Sequence, residues 1–461
     1  MICHVGSNKS ISQHFTYSFI INSSQLVLHI INKKKMFTLY LPLISILFLI
    51  ITLKFFIHTT RTFKNLPPGP QCLPIIGNLH QLKQPLHRTF HNLSQKHGKL
   101  FSLWFGSHLV VVVSSLEIAQ ECFTKNDIIL ANRPHFLTGK YIGYNNTTVA
   151  QSPYGDHWRN LRRILSIEVL SSHRLNSFQE IRTDEIMRLI QKLAQMSCNS
   201  FFEVELKSMF SEMTFNTIMR MVSGKRYYGD DCDVSDVEEA RLFRGIIKEI
   251  VSIGGANNVG DFLGFLRWFD FDGLENRLKK ISKKTDSFLQ GLIDEHRFGK
   301  RNTNTMIDHL LTQQQSQPEY YTDQIIKGLI VVMPHLSSKD FTLEKYNIPQ
   351  NTILMVNAWV IHRDPNLWSD PTCFKPERFS KEGETNKLLS FGLGRRACPG
   401  ENLAQRTVSF TLGLLIQCFE WKRIGEEKID MTEAKGLTVG KKIPLKAMCK
   451  LRHPLRIEDV F

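Results

Sequence analysis

The longest apolar run of the chain covers residues 37–57 and is interrupted mainly by Pro42 and Lys54. Its length is close to the ~20 residues that an α-helix needs to cross a bilayer. The short apolar core and small-residue cleavage site of a secretory signal peptide are not found in this run. The pattern therefore predicts an N-terminal transmembrane helix over residues 36–58.

Beyond this run, the spacing of apolar positions predicts mostly helices. Residues 100–113 are rich in β-branched and aromatic side chains and predict strands. Helical periodicity dominates from about residue 115 to 333, for example over 172–196 and 238–252. A further helix is predicted over residues 401–419. The sequence therefore predicts a mainly α fold with small β-sheets and without internal repeats.

Positive charge lies on both sides of the apolar run, with Lys33–Lys35 before it and Arg61 and Lys64 after it. Such charge holds its own side of a membrane cytoplasmic, so the two clusters oppose each other. Because Met36 directly precedes the run, we interpret residues 1–35 as an upstream extension that is not native. The domain after the run is then expected to be cytoplasmic.

A basic linker over residues 59–70 follows the apolar run and ends in the proline-rich stretch 66–70. Prolines at this density exclude helix and stiffen a connector. We therefore expect a hinge here, followed by a single large domain over residues 71–461.

Composition narrows the class of protein. The chain has 461 residues, 42% of them hydrophobic, which is enough for a sizeable core. Its nine cysteines form no CxxC pair, which argues against a zinc site or a disulfide scaffold and for a reducing compartment. The net charge is +15, but the basic residues form no long run interleaved with aromatics. We therefore expect a membrane surface or an acidic protein partner, and no nucleic acid.

The glycine-rich stretch over residues 391–400 carries the candidate chemistry. Cys398 lies just before a predicted helix, whose macrodipole favours a thiolate. Gly394 and Gly400 allow backbone close to the sulfur, and Arg396 offers a fixed cation suited to a carboxylate. We interpret the stretch as the proximal side of a haem (heme) whose iron is bound by Cys398. The alternative is a buried free cysteine in a turn.

With Phe391, Gly394, Arg396, Cys398 and Gly400 in place, the stretch resembles the haem-binding signature of the cytochromes P-450. The resemblance implies the cytochrome P-450 fold, a haem cofactor with Cys398 as its metal ligand, and the activity of a haem-thiolate monooxygenase. Residues 66–70 resemble the family's hinge, and residues 376–379 resemble its PERF segment.

Trp158 and Arg162 lie one helical turn apart in the segment 154–163. Alone, this segment is typical of a basic amphipathic helix. It also resembles the family's WxxxR helix, which implies that Arg162 binds a haem propionate and that Trp158 supports it. The resemblance gives His335 and Arg396 the same propionate-anchoring role.

Two motifs of the family are missing. No [AG]-G-x-[DE]-T sequence supplies the acid–threonine pair that delivers protons to dioxygen, so no catalytic residue is assigned. The helix that should carry it begins well at Thr322, a good N-cap, but stops at Pro334. The ExxR motif is also absent between that helix and the PERF segment. Three formal matches lie elsewhere and are interpreted as ordinary i,i+3 pairs: Glu185/Arg188, Glu238/Arg241 and Glu420/Arg423.

We therefore expect an internal block to be absent at the 333/334 junction, comprising most of the oxygen-activation helix and the ExxR helix. Exon skipping, a decayed gene or a faulty gene model would each produce such a chain. Each apolar side chain that is no longer buried loses about 1.5–3 kcal/mol of stabilisation. The total free energy of unfolding of a folded protein is only about 5–15 kcal/mol. The fold is thus expected to be incomplete, poorly stable and weak in haem binding.

Residues 140–164, 390–406 and 416–431 carry a closer resemblance, to plant microsomal cytochromes P-450 of family 81, which include isoflavone 2′- and 3′-hydroxylases. It implies hydroxylation of a small apolar or aromatic metabolite with electrons from NADPH through an acidic flavoprotein reductase. It also implies a single-pass endoplasmic reticulum protein with a cytoplasmic catalytic domain. Substrate contacts are expected from residues 136–149 and 253–271. The alternative is a membrane-anchored, non-catalytic remnant.

Overall fold

The structure is a computed structural model that describes residues 40–52, 63–229, 237–254, 259–268, 270, 273–299, 304–329, 335–434 and 440–452. The chain divides into two compact units, Met1–Lys64 and Asn65–Phe461.

In the smaller unit, residues 40–52 form helix α1, and its apolar side chains are exposed. The hydroxyls of Ser45 and Thr52 donate to the carbonyls of Leu41 and Phe48, one turn back, at 2.8 and 2.9 Å. No helix within the described ranges has the length and apolar character needed to span a bilayer. The rest of the predicted segment, 36–39 and 53–58, lies outside the described residues, so the transmembrane helix stays a prediction.

The larger unit is mainly helical, as predicted. Its α-helices are α2 Leu86–His97, α3 Leu116–Thr124, α4 Leu137–Tyr141, α5 Asp156–Ile164, α6 Ser172–Ser177, α7 Gln179–Ser197, α8 Leu206–Ser223, α9 Val237–Gly254, α10 Leu274–Phe298, α11 Met306–Ser316, α12 Asp323–Gly328, α13 Ala358–Ile361 and α14 Glu401–Cys418. The single helix predicted over 172–196 is wrong in one respect, because Phe178 (φ −95°, ψ 13°) separates α6 from α7.

The strands form three small sheets. The strands are β1 Leu100–Phe105, β2 His108–Val113, β3 Phe202–Glu205, β4 His335–Leu336, β5 Phe341–Leu343, β6 Tyr346–Ile348, β7 Ile353–Val356, β8 Phe419–Lys422 and β9 Lys446–Leu451. One sheet has the order β1-β2-β7-β4, with β2 and β7 parallel and the other pairs antiparallel. The others are antiparallel, with the orders β3-β9-β8 and β5-β6.

Strand β2 is buried on both faces, which explains its unbroken run of valines. Val110 and Val112 pack with Phe90 of α2, whereas Val111 and Val113 pack with Leu116 of α3. Alternate residues of a strand point to opposite faces, so each face of the sheet acquires its own helical cover. The sheet is therefore the frame that fixes α3 and the loop after it.

The proline-rich stretch is fastened to this sheet. Ser102 of β1 donates its backbone N–H to Pro68 O at 2.9 Å and its hydroxyl to Pro67 O at 2.7 Å. A Cβ on Gly69 would lie 2.1 Å from Ser102 O, so only glycine fits this approach. The stretch contains no helix, as its prolines predict.

Helix α14 packs by one face only. Leu414 and Leu415 join a core with α7 and α8, for example through Leu193. Its opposite face exposes apolar side chains at four-residue spacing: Val408 at 62%, Leu412 at 53% and Ile416 at 58%. Three successive turns of this helix thus present an apolar stripe to solvent.

The i,i+3 interpretation of the ExxR matches is confirmed for only one of them. Glu238 and Arg241 form an exposed ion pair on α9. Glu185 is buried and pairs with Arg220 of α8 at 2.8 Å, so its contacts are not those of an ordinary i,i+3 surface pair. Glu420 lies on strand β8, not on a helix, so the helical interpretation is wrong there.

Candidate haem site

The Cys398 loop closes on itself through its backbone. The amide of Cys398 donates to Phe391 O at 2.8 Å, and the amide of Ala397 donates to Gly394 O at 3.0 Å. Helix α14 begins three residues after the cysteine, as predicted. The Cys398 side chain is exposed, so the alternative of a buried free cysteine is wrong for this chain.

The two glycines act differently from the prediction. A Cβ on Gly400 would lie 3.8 Å from the Cys398 sulfur, an ordinary contact that does not require glycine. Gly394 has φ +69°, and a Cβ there would lie 2.5 Å from Asp127 Oδ1 and 3.0 Å from Phe123 O. Glycine is required at 394 because of the segment after α3, not because of the sulfur.

Arg396 uses its planar fork on the backbone. Its Nε, Nη1 and Nη2 donate to the carbonyl oxygens of Ala131 (2.7 Å), Val149 (3.1 Å) and Ser152 (2.6 Å). Three of its five N–H groups are thereby engaged, which leaves two for another acceptor. The guanidinium also lies over the ring of Trp158, 4.2 Å from the ring centroid.

Helix α5 carries Trp158 and Arg162, as predicted. Trp158 is buried, and its indole N–H donates to Val149 O at 2.9 Å. Arg162 is half-buried. Burial lowers the pKa of the Arg162 guanidinium, and the negative charge of a Cys398 thiolate opposes this shift. Arg162 therefore lies close enough to the Cys398 sulfur for their charges to interact.

A third arginine, Arg133, was missed by the sequence analysis. It is 5% exposed, its Nε donates to Ala150 O at 3.0 Å, and its Nη1 is buried without a partner. Burial lowers the pKa of Arg133 to about 10. Burial, together with the charges of Arg133 and Arg162, lowers the pKa of Arg396 to about 9. All three remain cationic at neutral pH.

The three arginines form a cluster without a carboxylate. Within the described residues, no aspartate or glutamate forms an ion pair with Arg133, Arg162 or Arg396. Grouped cations are costly to bury unless an anion joins them. With the orphaned Nη1 of Arg133 and a nearby cysteine, the donor set fits a flat group that carries carboxylates and takes a thiolate ligand. Haem meets both requirements.

The remaining predicted residues are only partly placed. The backbone of His335, on strand β4, pairs with Leu354 of β7, but its side chain lies outside the described part of the chain. Phe391 is half-buried and contributes its carbonyl to the Cys398 loop. Pro334 and the 333/334 junction also lie outside the described residues.

Within the described residues, the hydrogen bonds of the PERF arginine go to backbone carbonyls, and its guanidinium lies over the ring of Trp368. Arg378 donates from Nη1 to Ser369 O at 3.0 Å, and from Nη2 to Asp370 O and Cys373 O at 3.2 and 3.1 Å. Its Nε donates to Lys375 O at 3.0 Å. The segment folds as a 3₁₀ turn whose arginine braces its own meander.

This fold and this cysteine loop are those of a known family. A family model described as Cytochrome P450 matches the chain in two segments, residues 67–333 and 328–449. The chain belongs to the cytochrome P450 family, whose members are monooxygenases that hold haem through a cysteine thiolate and receive electrons by way of a reductase.

Within the family, the chain is similar to plant members of family 81. It is 74% identical over 499 residues to "Cytochrome P450 81E8" of Medicago truncatula, covering 92% of this chain and 100% of the relative. It is 53% identical over 464 residues to "Isoflavone 2'-hydroxylase" of Glycyrrhiza echinata (85% and 93%). It is 53% identical over 489 residues to "Isoflavone 3'-hydroxylase" of Medicago truncatula (89% and 97%).

Proposed function

We propose that this chain has the framework of a haem-thiolate monooxygenase that hydroxylates a small aromatic, isoflavonoid-like metabolite, with Cys398 as the axial ligand. The observation that carries the proposal is the carboxylate-free cluster of Arg133, Arg162 and Arg396 beside the cysteine loop. Arg162 lies on α5, Arg396 lies in the Cys398 loop, and Arg133 lies in the segment between α3 and α4. Folding therefore brings three separate segments together. The similarity to isoflavone hydroxylases supports the substrate class.

The chain's own residues bind and orient the cofactor. Arg162 and the free N–H groups of Arg133 and Arg396 would hold the propionates, and we assign His335 on β4 to the same task. Trp158 keeps Arg396 in place by stacking and by sharing its acceptor. Haem supplies oxygen-atom transfer when it is bound, with Cys398 donating electron density to its iron.

Two segments predicted to contact substrate lie against each other, which supports a shared role. The rings of Phe136 and Phe262 are 5.8 Å apart in an edge-to-face arrangement. The backbone N–H of Leu137 donates to Asp261 Oδ1 at 2.9 Å. An aromatic substrate would meet ring edges here, a favourable geometry for aromatic pairs. The segments are those around residues 136–149 and 259–268.

Electron supply and location follow from the same proposal. The net charge of +15 suits an acidic, NADPH-dependent flavoprotein reductase as the electron donor. Residues 36–58 are proposed to anchor the protein in the endoplasmic reticulum membrane, with the domain in the cytoplasm.

A second candidate function is favoured by specific observations: a non-catalytic remnant that lacks an internal block. The family model matches in two segments that meet at residues 328–333. The alignment with the Medicago truncatula relative runs over 499 residues, more than the 461 of this chain, so the relative has residues without a counterpart here. The apolar stripe of α14 agrees with lost neighbours, as do the hydrogen bonds of Arg378, which within the described residues go to backbone carbonyls.

Haem loading separates the two candidates. The full chain is expressed beside a restored chain, in which the relative's unmatched block is inserted between residues 333 and 334. Bound haem and the absorption spectrum of the reduced, carbon-monoxide-bound protein are then measured. We expect a thiolate-type band from the restored chain, and little or no bound haem in the chain as it stands.

The Cys398→Ser variant of the restored chain is the test of the axial ligand. It is expected to lose the thiolate-type band, because serine gives iron no sulfur. A retained band would refute Cys398 as ligand and with it the proposed function. Full haem loading and a thiolate-type band in the chain as it stands would refute the remnant alternative.

A further inference from the structure

Asp127, in the turn after α3, makes direct contact with the Cys398 loop. Its two carboxylate oxygens accept from the backbone N–H of Arg395 at 3.1 and 3.2 Å. Arg395 Nε also lies 3.3 Å from Asp127 Oδ2, and the aspartate side chain is only 15% exposed. The Asp127 carboxylate thus hydrogen-bonds to the loop backbone three residues before the cysteine.

The segment that contains Asp127 makes a second hydrogen bond to the loop. Four residues after Asp127, the carbonyl of Ala131 accepts from Arg396 Nε at 2.7 Å. The turn Gly394–Arg396 is therefore clamped at two successive residues by one short stretch of chain. Gly394 permits this closeness, since any Cβ there would lie 2.5 Å from Asp127 Oδ1.

The clamp opposes a repulsion that the site itself creates. Arg133 follows Ala131 by two residues and adds its positive charge to those of Arg162 and Arg396. Before an anion binds, these like charges favour spreading of the loop away from the segment 127–133. The Asp127 carboxylate, bonded to the backbone N–H of Arg395, holds the loop against the segment 127–133 at this stage. Hydrogen bonds to a charged group of this kind are stronger than those between neutral groups.

We propose that Asp127 is a positioning residue that clamps the Gly394–Arg396 turn, and thereby sets the Arg396 fork and the Cys398 sulfur in place before haem binds. The inference rests on the proposed role of Cys398 as iron ligand. It assigns to Asp127 no contact with haem, substrate or the reacting atoms.

The test uses the full chain without haem. In Asp127→Asn, an amide NH₂ replaces one of the oxygens that face the Arg395 N–H. We expect amide hydrogen exchange of residues 394–398 to accelerate about tenfold and the rate of Cys398 alkylation by iodoacetamide to change by a similar factor. Exchange in β1 and β2 should stay as it is. The matched control is Asp156→Asn, which changes an exposed carboxylate on α5 that pairs with Arg159.

Two further variants decide how the clamp acts. Arg395→Gln keeps the backbone N–H and loses the side-chain contacts with Asp127 and with the ring of Tyr154. Its effect should be much smaller than that of Asp127→Asn. Gly394→Ala should accelerate exchange strongly alone and less in an Asp127→Ala background, where the clashing carboxylate is gone. An Arg395→Gln effect as large as that of Asp127→Asn, or additive effects at 127 and 394, would overturn the proposal.

In the restored chain, Asp127→Asn should lower the fraction of the carbon-monoxide complex that shows the thiolate-type band, and Asp127→Glu should recover part of it. Unchanged loop exchange and an unchanged band in Asp127→Asn would refute the clamp while leaving Cys398 as ligand. A thiolate-type band retained by Cys398→Ser would instead refute the proposed function, so the two failures are distinguishable.

Discussion

Trp158 and Arg396 share one acceptor. The indole Nε1–H of Trp158 and the Nη1–H of Arg396 both donate to Val149 O, at 2.9 and 3.1 Å. The guanidinium lies 4.2 Å from the centroid of the same indole. One carbonyl and one ring thus fix α5, the loop before it and the Cys398 loop relative to each other.

Replacing Arg396 by lysine should release this junction. A lysine ammonium cannot reach the three carbonyl oxygens that the planar fork bonds together. We expect Arg396→Lys to lower the free energy of unfolding by about 1.5–3 kcal/mol, the contribution of hydrogen bonds to a charged group. Trp158→Phe keeps the ring under Arg396 and loses one donor, so it should cost about 1 kcal/mol. Urea unfolding of the full chain measures both.

The matched control for Arg396 is Arg159→Gln. Arg159 is exposed on α5 and forms a surface ion pair with Asp156, so its loss should change stability by less than about 0.5 kcal/mol. Because Trp158 and Arg396 share Val149 O, the double variant should be less destabilised than the sum of the single variants. Strict additivity would show that sharing the acceptor contributes no coupling energy between Trp158 and Arg396.

Substitution of Arg133 should weaken haem binding without lowering the stability of the protein. Its burial and its orphaned Nη1 make it costly in the protein without haem. Arg133→Met keeps an apolar stem and removes the charge, so the free energy of unfolding should stay level or rise. Haem affinity of the restored chain should fall at least about tenfold, because a partner of the propionates is lost. Lower stability together with normal haem affinity would show that Arg133 is a structural residue only.

The sequence predicted the elements that carry local signals. The structure contains strands over 100–113, a helix close to 401–419, the N-cap at Thr322, and Trp158 and Arg162 on one helix. All of these depend on the spacing of a few residues. The break at Phe178 was missed, because the apolar period continues across it. The strand assignment of Glu420 was missed because Cys418 ends a long helix without a glycine or proline to mark the change.

The parts of the site that sequence could not supply are those made by distant contacts. Arg133 and Asp127 lie far from Cys398 in the chain and match no motif that names their partners. Only the apolar neighbours of Arg133, over Ile129–Ala131, hinted that the arginine is buried. Gly394 was correctly singled out, but its reason, the approach of Asp127, exists only after the chain has folded.

His362 should make stability depend on pH. Its Nε2 accepts from the backbone N–H of Leu389 at 2.8 Å, just before the Cys398 loop, which requires a neutral ring. Burial, with the charge of Arg363, lowers the pKa of His362. The unfolded chain takes up this proton near pH 6.5, whereas the folded chain resists it until lower pH. The contribution is therefore complete above about pH 6.5 and is lost as pH falls through the folded pKa.

His362→Gln offers an acceptor that does not titrate, so its stability should fall less than that of the parent between pH 7 and 5. Urea unfolding at several pH values measures the difference, and His173→Gln, at an exposed position of α6, is the control. An identical pH dependence of parent and His362→Gln would contradict the assignment.

The apolar stripe of α14 should respond to restoration of the missing block. In the chain as it stands, Leu412 is 53% exposed, so Leu412→Ala should change the free energy of unfolding by less than about 0.5 kcal/mol. If the relative's block covers this face, the same substitution in the restored chain removes a buried side chain and should cost about 2–5 kcal/mol.

Leu414, on the same helix, is 5% exposed and serves as the control, since Leu414→Ala should cost about 2–5 kcal/mol in both chains. The comparison separates the effect of burial from that of helix propensity, because both substitutions replace leucine by alanine on the same helix. A Leu412→Ala cost that stays below about 0.5 kcal/mol after restoration would mean that the block lies elsewhere. The exposed stripe would then be a property of the fold itself, and the remnant interpretation would lose its structural support.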